Sequence, residues 1–308
     1  MEEIRVSVVV PTRNRPDQIG PCVASILANQ SPGFELVVVD QSDDDSSRRA
    51  LEPYLQDARL RYEASGSRGA AAARNAGIAL ARAPLLAFTD DDCRVPADWV
   101  MQIAGVFDAD PRADVLFGRV AIPEELKGVG FAADYEPNQR VYQGAYPKAT
   151  DNWGIGANMS VRRSVFDRVG AFDTLLGPGA TFKAGEEVDL AIRAIAAGCK
   201  IVNPVEVTLL HLGVREGDAA RGLLLGYLFA TGAVFTKHLR LRTRGGVSLF
   251  ANFFALHAKH ALSSVMTGKR PTGIGGIVSL LTGASRSLRY PLDRERQVYA
   301  PAKGSGGA

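Results

Sequence analysis

The sequence predicts an α/β fold, a sandwich built around a mostly parallel central sheet. Short runs of β-branched and apolar residues recur up to His211, as in strands that are buried on both faces. Segments with helical spacing of apolar residues separate these runs, and strands that alternate with helices are typical of parallel sheets. With 308 residues, 46% of them hydrophobic, the chain is long enough for one large domain or two small ones.

Four strands are predicted near the start of the chain, with a helix after each of the first three. The strands are the runs Val6–Val10, Glu35–Asp40, Leu60–Glu63 and Leu85–Thr89. Asp17 can cap the first helix, because Asp accepts hydrogen bonds from free N–H groups at helix starts. The apolar face of that helix carries Ile19, Val23, Ile26 and Leu27. The second helix opens at Ser46 or Ser47, and the third is the Ala-rich segment Ala70–Arg82.

The predicted elements after Pro96 are less regular. In order they are a helix from Asp98 to Asp108, a strand Ala113–Ile122, a strand Trp153–Val161, a helix Arg163–Val169, a helix Gly185–Ala197, and one or two strands in Ile201–His211. The segment from Pro123 to Asn152 has no periodicity, and long irregular segments inside compact domains are usually functional. We predict a lid or an acceptor loop there, because its aromatic residues argue against a disordered insertion. These residues are Phe131, Tyr135, Tyr142 and Tyr146.

Three consecutive acids, Asp90, Asp91 and Asp92, follow the fourth predicted strand. Their carboxylates repel one another, so the fold by itself gains nothing from them. A divalent cation would remove that cost, and oxygen ligands that leave room for a diphosphate suit Mg²⁺ or Mn²⁺. The alternative is a solvated acidic turn, since motif matches carry a high risk of false positives.

Polar residues follow three of the predicted strands: Thr12, Asp40 and the acidic triplet at residues 90–92. In open α/β sheets, ligands collect at the carboxyl ends of the strands. We therefore predict a binding crevice at this edge. The alternative for Asp40 is a capping role in the following turn, where Asp is favoured.

Charge is distributed unevenly along the chain. Up to Leu212 there are 22 Lys and Arg against 29 Asp and Glu, a net charge of −7, and from Gly213 onward there are 14 against 4, a net charge of +10. A basic C-terminal third predicts an anionic partner surface, either membrane or nucleic acid. The three cysteines, Cys22, Cys93 and Cys199, lack metal-type spacing and fit a reducing cytosol. The first residues lack a signal-peptide pattern.

The C-terminal third contains apolar stretches with basic flanks. Leu223–Phe235 is about a dozen residues, shorter than the roughly 20 that span a bilayer, and Val247–Leu262 has helical spacing. Such stretches predict helices that lie on an anionic membrane or pack on the body of the protein, and fit nucleic acid less well. We predict a body at residues 1–212, a basic amphipathic helical extension at 213–290 and a flexible tail at 291–308.

Six segments of the chain together resemble one family. They are SVVVPTRNR (Ser7–Arg15), VVVDQSDDDS (Val37–Ser46), RGAAAARNAGIALA (Arg68–Ala81), FTDDDCRVPADW (Phe88–Trp99), GANMSVRRSVFDRVGAFD (Gly156–Asp173) and GEEVDLAIRAIAAG (Gly185–Gly198). In this order, they resemble the nucleotide-sugar enzymes of glycosyltransferase family 2, which have the GT-A fold. The resemblance covers roughly residues 7–211.

The resemblance implies a set of site residues. Those implied to contact the nucleotide sugar are Pro11, Thr12, Arg13, Asp40, Arg74, Asn75, Asp90, Asp91 and Asn158. Within this set, residues 11–13 would line the base and ribose, Asp40 would bond a uracil-type base or the ribose, and Asn158 would lie near the donor sugar. Asp92 would ligate a Mg²⁺ or Mn²⁺ ion that bridges the diphosphate, and His211 would be a late metal ligand or phosphate contact.

The catalytic base is where the sequence departs from the family. The family usually reads Gly-Glu-Asp-x-Asp-Leu, and its Asp is the base, whereas here that position is Glu187. Glutamate can take the same proton, but its extra methylene moves the carboxylate by about one bond length, and base geometry is strict. A helix N-terminus favours an ionised Glu187 unless burial raises its pKa. The alternative is that Glu186 and Glu187 only complement the helix dipole.

The function implied by the resemblance is nonprocessive, inverting transfer of one sugar from a nucleoside-diphosphate sugar, a UDP-sugar, to an acceptor hydroxyl. We expect a lipid-linked glycan acceptor, a role in cell-envelope or exopolysaccharide synthesis, and a cytoplasmic or peripheral membrane location. The transmembrane helices and Gln-x-x-Arg-Trp motif of processive synthases are not found in the sequence. Alternatives are a catalytically inactive nucleotide-sugar-binding module and a metal-dependent nucleotidyltransferase. The latter is disfavoured because residues 11–17 contain no glycine.

Overall fold

The computed structural model describes residues 3–31, 33–146, 154–243 and 274–300, together with residues 251, 255 and 259. The strands are β1 (Val6–Thr12), β2 (Phe34–Asp40), β3 (Leu60–Ala64), β4 (Leu85–Phe88), β5 (Cys93–Arg94), β6 (Ala113–Phe117), β7 (Arg119–Ala121), β8 (Phe131–Ala132), β9 (Met159–Arg162), β10 (Lys200–Val202), β11 (Thr208–His211), β12 (Val214–Arg215), β13 (Leu292–Asp293) and β14 (Val298–Tyr299). The helices are α1 (Pro16–Leu27), α2 (Ser46–Ala50), α3 (Ala70–Leu80), α4 (Trp99–Ala109), α5 (Arg163–Val169), α6 (Glu186–Ala196), α7 (Gly217–Leu241) and α8 (Ile274–Ser287).

Seven strands form the central sheet, in the order β10-β6-β9-β4-β1-β2-β3. Every pairing is parallel except those of β9, which runs antiparallel to both β4 and β6. All seven residues of β1 and of β2 are buried, as their continuous β-branched sequence requires. The register pairs Thr12 with Asp40, so the two strands end at the same level. The predicted α/β sandwich with a mostly parallel sheet is confirmed.

Helix α3 packs directly on β1 because Gly77 has no side chain. A Cβ at Gly77 would lie 2.3 Å from Cγ1 of Val9, well inside contact distance. Close approach of helix to strand places the first residues of α3, including Arg74, beside the ends of β1 and β4. The Ala-rich composition that predicts this helix therefore also sets its distance from the sheet.

Gly118 divides the segment that the sequence predicts as one strand, Ala113–Ile122. A Cβ at Gly118 would lie 2.3 Å from the carbonyl oxygen of Val207, so the chain can pass only with glycine there. Before it, β6 belongs to the central sheet, and after it, β7 pairs with β11 in a three-stranded sheet of order β5-β11-β7. The predicted strand Trp153–Val161 is shorter than expected, since residues 156–158 form a 3-10 turn before β9.

The C-terminal part is helical, as predicted, but its first helix is longer than the apolar stretch suggested. Helix α7 has 25 residues and is long and apolar enough to cross a membrane by length and composition, a test that core helices of soluble proteins also pass. Its most apolar stretch is one third buried. A Cβ at Gly232 would lie 1.9 Å from the carbonyl oxygen of Leu280, so α7 and α8 touch through their backbones. The predicted helix Val247–Leu262 lies outside the described residues except at 251, 255 and 259.

Residues 291–300 form a packed hairpin instead of the start of the predicted flexible tail. Strands β13 and β14 pair antiparallel, and Tyr299 is buried against Phe182, with ring centroids 5.1 Å apart. The burial of these aromatic rings fixes the segment, and residues 301–308 lie outside the described part of the chain. The predicted domain boundary after Leu212 falls between β11 and β12 and stays a prediction.

A fully buried cluster of charges joins α6 to α7. Lys237 Nζ lies 2.6 Å from Asp189 Oδ1 and 2.8 Å from Asp173 Oδ2, while His238 Nε2 lies 3.0 Å from Asp189 Oδ1. Arg193 forms a further ion pair with Asp189, at 2.9 Å. Although burial alone would raise it, the charges of Lys237 and Arg193 and the hydrogen bond from His238 hold the pKa of Asp189 far below its usual range. The C-terminal helix therefore supplies the charges that the buried carboxylates need.

Candidate active site

A cavity of about 780 Å³ opens at the carboxyl ends of β1 and β4. Its walls come from these strand ends, the N-terminus of α6, the segment around β8 and one face of α7. The volume is near the upper end of the usual range for ligand pockets, about 300–1,000 Å³. The crevice predicted at this edge of the sheet is therefore present.

The acidic triplet lines this cavity, and arginines neutralise much of its charge. Arg15 donates to both of the last two acids, with Nη1 2.5 Å from Asp91 Oδ1 and Nη2 2.8 Å from Asp92 Oδ2. Thr12 Oγ1 donates to Asp91 Oδ2 at 2.8 Å. Arg74 Nη2 lies 2.7 Å from Asp90 Oδ1. Two guanidinium groups therefore offset part of the repulsion that we expected a divalent cation to remove.

Asp91 and Asp92 have opposite pKa shifts, although burial acts in the same direction on both. Burial raises the pKa of Asp91 to about 7, against the opposing effects of Arg15 and the Thr12 hydrogen bond. Burial would also raise the pKa of Asp92, but His211 and Arg15 hold it well below the usual range. Asp92 therefore stays ionised, as a metal ligand must be.

Glu186 and Glu187, adjacent on the first turn of α6, have different environments. Glu186 is buried and accepts from Arg74 Nη1 at 2.5 Å, so it holds the arginine that also binds Asp90. Glu187 is partly buried and lines the cavity, and no ion pair of its carboxylate occurs within the described ranges. Burial, and next the charge of Glu186, raise its pKa well above the ordinary value. We expected the helix N-terminus to keep Glu187 ionised unless burial raised its pKa, and burial does raise it.

Asp92 and His211 offer ligand atoms that fit a divalent cation. Asp92 Oδ1 is buried without a hydrogen-bond partner in the described part of the chain, and it lies 3.4 Å from His211 Nε2. Gly213 leaves the space beside them open, because a Cβ there would lie 2.6 Å from Asp92 Oδ2. The thiol of Cys93 is also near, but burial raises its pKa far above the usual value, which keeps it protonated. A carboxylate oxygen and an imidazole nitrogen suit Mn²⁺, and Mg²⁺ through the oxygen.

Most of the other predicted site residues also reach the cavity. Pro11, Thr12 and Arg13, at the end of β1, line it together with Arg74. Asp40 is buried beside this region, but its oxygens accept from the Ser42 N–H and the Tyr62 hydroxyl, each at 2.8 Å, and Gln41 lines the cavity in its place. The capping alternative considered for Asp40 matches these contacts.

Asn75 and Asn158 are not brought to the cavity. Asn75 exchanges two hydrogen bonds of 2.9 Å with the backbone of Phe172. Asn158 is fully buried, accepts from Trp99 Nε1 at 3.1 Å and donates to the carbonyl oxygen of Val207 at 2.9 Å. Both side chains hold loops together, because a buried amide must satisfy its own donors and acceptor. Neither asparagine is among the residues that line the cavity, and the contact with the nucleotide sugar that the resemblance implied for them stays a prediction.

Comparison with known proteins gives the family. Residues 7–170 match the model of a protein family described as Glycosyl transferase family 2. This match covers more than half of the chain. The chain belongs to glycosyl transferase family 2.

Several known proteins are similar to this family 2 protein in sequence or in fold. It is 28% identical to the succinoglycan biosynthesis protein ExoO of Rhizobium meliloti, over 79% of the chain and 70% of that protein. It is 26% identical to the glucosyl-dolichyl phosphate glucuronosyltransferase of Haloferax volcanii, over 56% of the chain, and spans only 58% of that relative's length. The mannosyltransferase PcManGT from Pyrobaculum calidifontis, solved with GDP-Man and Mn²⁺, has the same fold, with a TM-score of 0.62, 20% identity and coverage of 94% and 88% of the two chains. The GT-A fold is thereby confirmed.

Sequence reasoning about this family 2 glycosyltransferase missed several residues that line the cavity. Arg15 lies in the quoted SVVVPTRNR segment but was not selected, although three adjacent acids call for nearby cations. Leu223, Tyr227 and Thr231 face the cavity from α7, and their spacing of four residues was a readable signal. No sequence signal for Gly213 is apparent, since its importance depends on what it touches.

Proposed function

We propose that this protein is a nonprocessive, inverting glycosyltransferase that moves one sugar from a nucleoside-diphosphate sugar, a UDP-sugar, to an acceptor hydroxyl. The observation that carries the proposal is that Asp92, His211 and Glu187 face one cavity at the carboxyl edge of the sheet. Activation of a diphosphate donor requires metal-binding groups, and deprotonation of an acceptor requires a carboxylate close to them. The names of the two relatives support a lipid-linked acceptor and a role in cell-envelope or exopolysaccharide synthesis.

The donor half of the cavity would hold the nucleoside diphosphate. Pro11 and Arg13 would flank the nucleoside, and Asp92 with His211 would hold Mg²⁺ or Mn²⁺. When bound, the ion supplies Lewis-acid stabilisation of the charge on the leaving diphosphate. Arg15 positions the carboxylate of Asp92 and leaves its second oxygen free. The metal dependence of donor binding follows from this arrangement.

The acceptor hydroxyl would attack C1 of the sugar from the side opposite the diphosphate, which inverts the anomeric centre. Its proton would pass to the carboxylate of Glu187. A base works best when its pKa is near the working pH, and partial burial moves Glu187 in that direction. Arg74 and Glu186 hold the first turn of α6 against the acidic triplet, which keeps the base and the donor in one geometry.

A donor panel tests the proposal. UDP-, GDP- and dTDP-sugars would be incubated with Mn²⁺ or with EDTA, and release of nucleoside diphosphate measured with and without a hydroxyl acceptor. We expect one UDP-sugar to be turned over with Mn²⁺ only, and the product anomer, read by NMR, to be opposite to that of the donor. Donor binding without release under any condition would support a binding module instead. Retention of the anomeric configuration would contradict inversion.

We propose that the protein lies on the cytoplasmic face of a membrane through its C-terminal helices. The outer face of α8 exposes Ile274, Val278 and Leu281, and Leu288 directly after the helix is exposed as well. The chain from Gly213 onward carries a net charge of +10, which favours an anionic surface. Apolar residues framed by basic ones are the features of a helix that lies in the bilayer interface.

A further inference from the structure

The cavity has a second half with different chemistry from the donor half. Its wall is apolar and aromatic, formed by Phe131, Leu223 and Tyr227, and the exposed Asp134 and Arg215 lie at its edge. An apolar wall in contact with water is unfavourable, and it favours a ligand whose own apolar surface displaces that water. The proposed partners of the nucleoside, the diphosphate and the metal lie elsewhere in the cavity, so this wall is available for a second substrate.

Two elements that flank the cavity build this wall. Strand β8 pairs antiparallel with β12, which places Phe131 opposite Arg215. The rings of Phe131 and Tyr227 meet edge to face, with centroids 6.2 Å apart. The predicted lid segment is thus joined to α7 across the cavity by an aromatic contact, which holds the wall in shape.

The wall lies beside the proposed base. Helix α7 crosses the start of α6, because a Cβ at Gly185 would lie 3.0 Å from Val234 Cγ2 and 3.8 Å from Ala230 Cβ. Tyr227 lies one helical turn before Ala230, on the cavity side. Burial and then the charge of Glu187 raise the pKa of Tyr227 to about 12, as expected for neighbouring groups. The apolar wall and Glu187 therefore border the same part of the cavity.

We propose that this wall is the acceptor subsite and that the acceptor is a glycoside with an apolar aglycone. Its sugar hydroxyl faces Glu187, and its apolar group packs on Leu223, Phe131 and Tyr227. This inference rests on the proposed transfer reaction. A bond forms between the acceptor oxygen and C1 of the donor sugar, the bond from C1 to the diphosphate oxygen breaks with its electron pair leaving on the nucleoside diphosphate, and the hydroxyl proton goes to the Glu187 carboxylate.

The test compares octyl with methyl glycosides of glucose, mannose, galactose and N-acetylglucosamine. Binding to the full-length protein with UDP and Mn²⁺ would be measured by saturation-transfer NMR, with the octyl compounds below their micelle-forming concentrations. We expect at least one octyl glycoside to bind about ten- to a hundredfold more tightly than its methyl counterpart, from burial of two or three methylene groups. Equal binding of all octyl and methyl pairs would overturn the proposal.

Two adjacent leucines on α7 give a matched pair of variants. Leu223 lines the cavity, whereas its neighbour Leu224 is 45% exposed and does not. Leu223→Ser should reduce the ratio of octyl to methyl glycoside affinity at least about tenfold, while Leu224→Ser should leave this ratio unchanged. UDP titration would verify that both variants are folded. Full octyl preference in Leu223→Ser, or an equal loss in Leu224→Ser, would contradict the subsite.

The result is separable from the proposed reaction itself. A protein that releases no nucleoside diphosphate from any donor would refute the transfer activity, yet octyl-selective binding that depends on Leu223 would still support the subsite. Turnover of a donor without any preference for octyl glycosides would leave the transferase assignment standing and reject the apolar acceptor.

Discussion

Glu187 occupies the position where related sequences usually have aspartate, and its surroundings differ sharply from those of Glu186. Glu186 is buried, and its Oε1 accepts from Arg74 Nη1, so this carboxylate serves to hold the arginine. Glu187 faces the cavity with a raised pKa. The choice between the two glutamates therefore follows from their partners, since Glu186 is paired with Arg74.

Replacement of the carboxylate at this position tests its role as base. Glu187→Gln should keep donor binding and lose about 10²–10⁴-fold in transfer rate, since the amide cannot take the proton. The matched control, Glu187→Asp, keeps a carboxylate and should retain measurable activity. Rates would be measured by nucleoside diphosphate release at saturating donor. Near-normal turnover by the glutamine variant would remove Glu187 from this role.

The raised pKa of Glu187 also predicts a pH dependence. The base must be ionised to act, so the transfer rate should rise with pH through the folded-state pKa, which lies well above the ordinary glutamate value. The acidic limb of the profile should disappear in Glu187→Gln. An acidic limb unchanged in that variant would show that another group controls it.

Asp92 and His211 give a prediction about metal. Asp92→Ala removes the buried oxygen that faces His211, so donor affinity in the presence of Mn²⁺ should fall about 100-fold or more. Titration calorimetry with and without EDTA measures the change. Asp108→Ala, at an exposed acid on α4 outside the cavity, serves as the control. Equal Mn²⁺ dependence in both variants would exclude Asp92 as a ligand.

Helix α6 is held by residues of α7 as well as by residues that line the cavity. Its buried Asp189 receives Lys237 and His238 from α7, two residues along the helix from Glu187. Because these contacts are fully buried, they fix the helix that carries the proposed base to the C-terminal part of the chain. The contribution of Asp189 to stability is complete above its unfolded pKa of about 3.9 and is lost as the pH falls from there, since its folded pKa is depressed.

Removal of the buried lysine should be costly. Lys237→Met leaves the carboxylates of Asp173 and Asp189 without their shared cation, and should lower the free energy of unfolding by about 3–5 kcal/mol. Arg221→Met, at an exposed position of the same helix, should change it by less than about 0.5 kcal/mol. Urea unfolding followed by circular dichroism measures both. A cost below about 1 kcal/mol for Lys237→Met would show that water reaches the cluster.

Sequence patterns predicted some elements well and others poorly, for physical reasons. Strands β1 and β2 are predictable because burial on both faces demands uninterrupted apolar residues. The break between β6 and β7 at Gly118 cannot be predicted from the local sequence, because it depends on a contact with Val207, far away in the chain. Likewise, the resemblance identified the acidic triplet and Glu187, whereas only the fold shows that Asn158 serves the backbone.

At the scale of the whole molecule, the basic C-terminal part predicts binding to anionic membranes. The protein should float with liposomes that contain anionic lipid at low salt and be released as salt rises, because surface charges are screened. Val278→Asp, on the exposed face of α8, should weaken flotation, whereas Met101→Asp, at an exposed position of α4, should not. Failure to float at low salt would refute the proposed location.

Lys237 and His238 of α7, which contact Asp189 of α6, have a consequence for protein engineering. An exchange of C-terminal segments between family members, intended to change which molecule receives the sugar, would also exchange Lys237, the counter-ion shared by Asp173 and Asp189, and His238, the hydrogen-bond partner of Asp189. A working chimera must therefore bring a matching lysine, or neutral residues at both aspartate positions, along with the new segment.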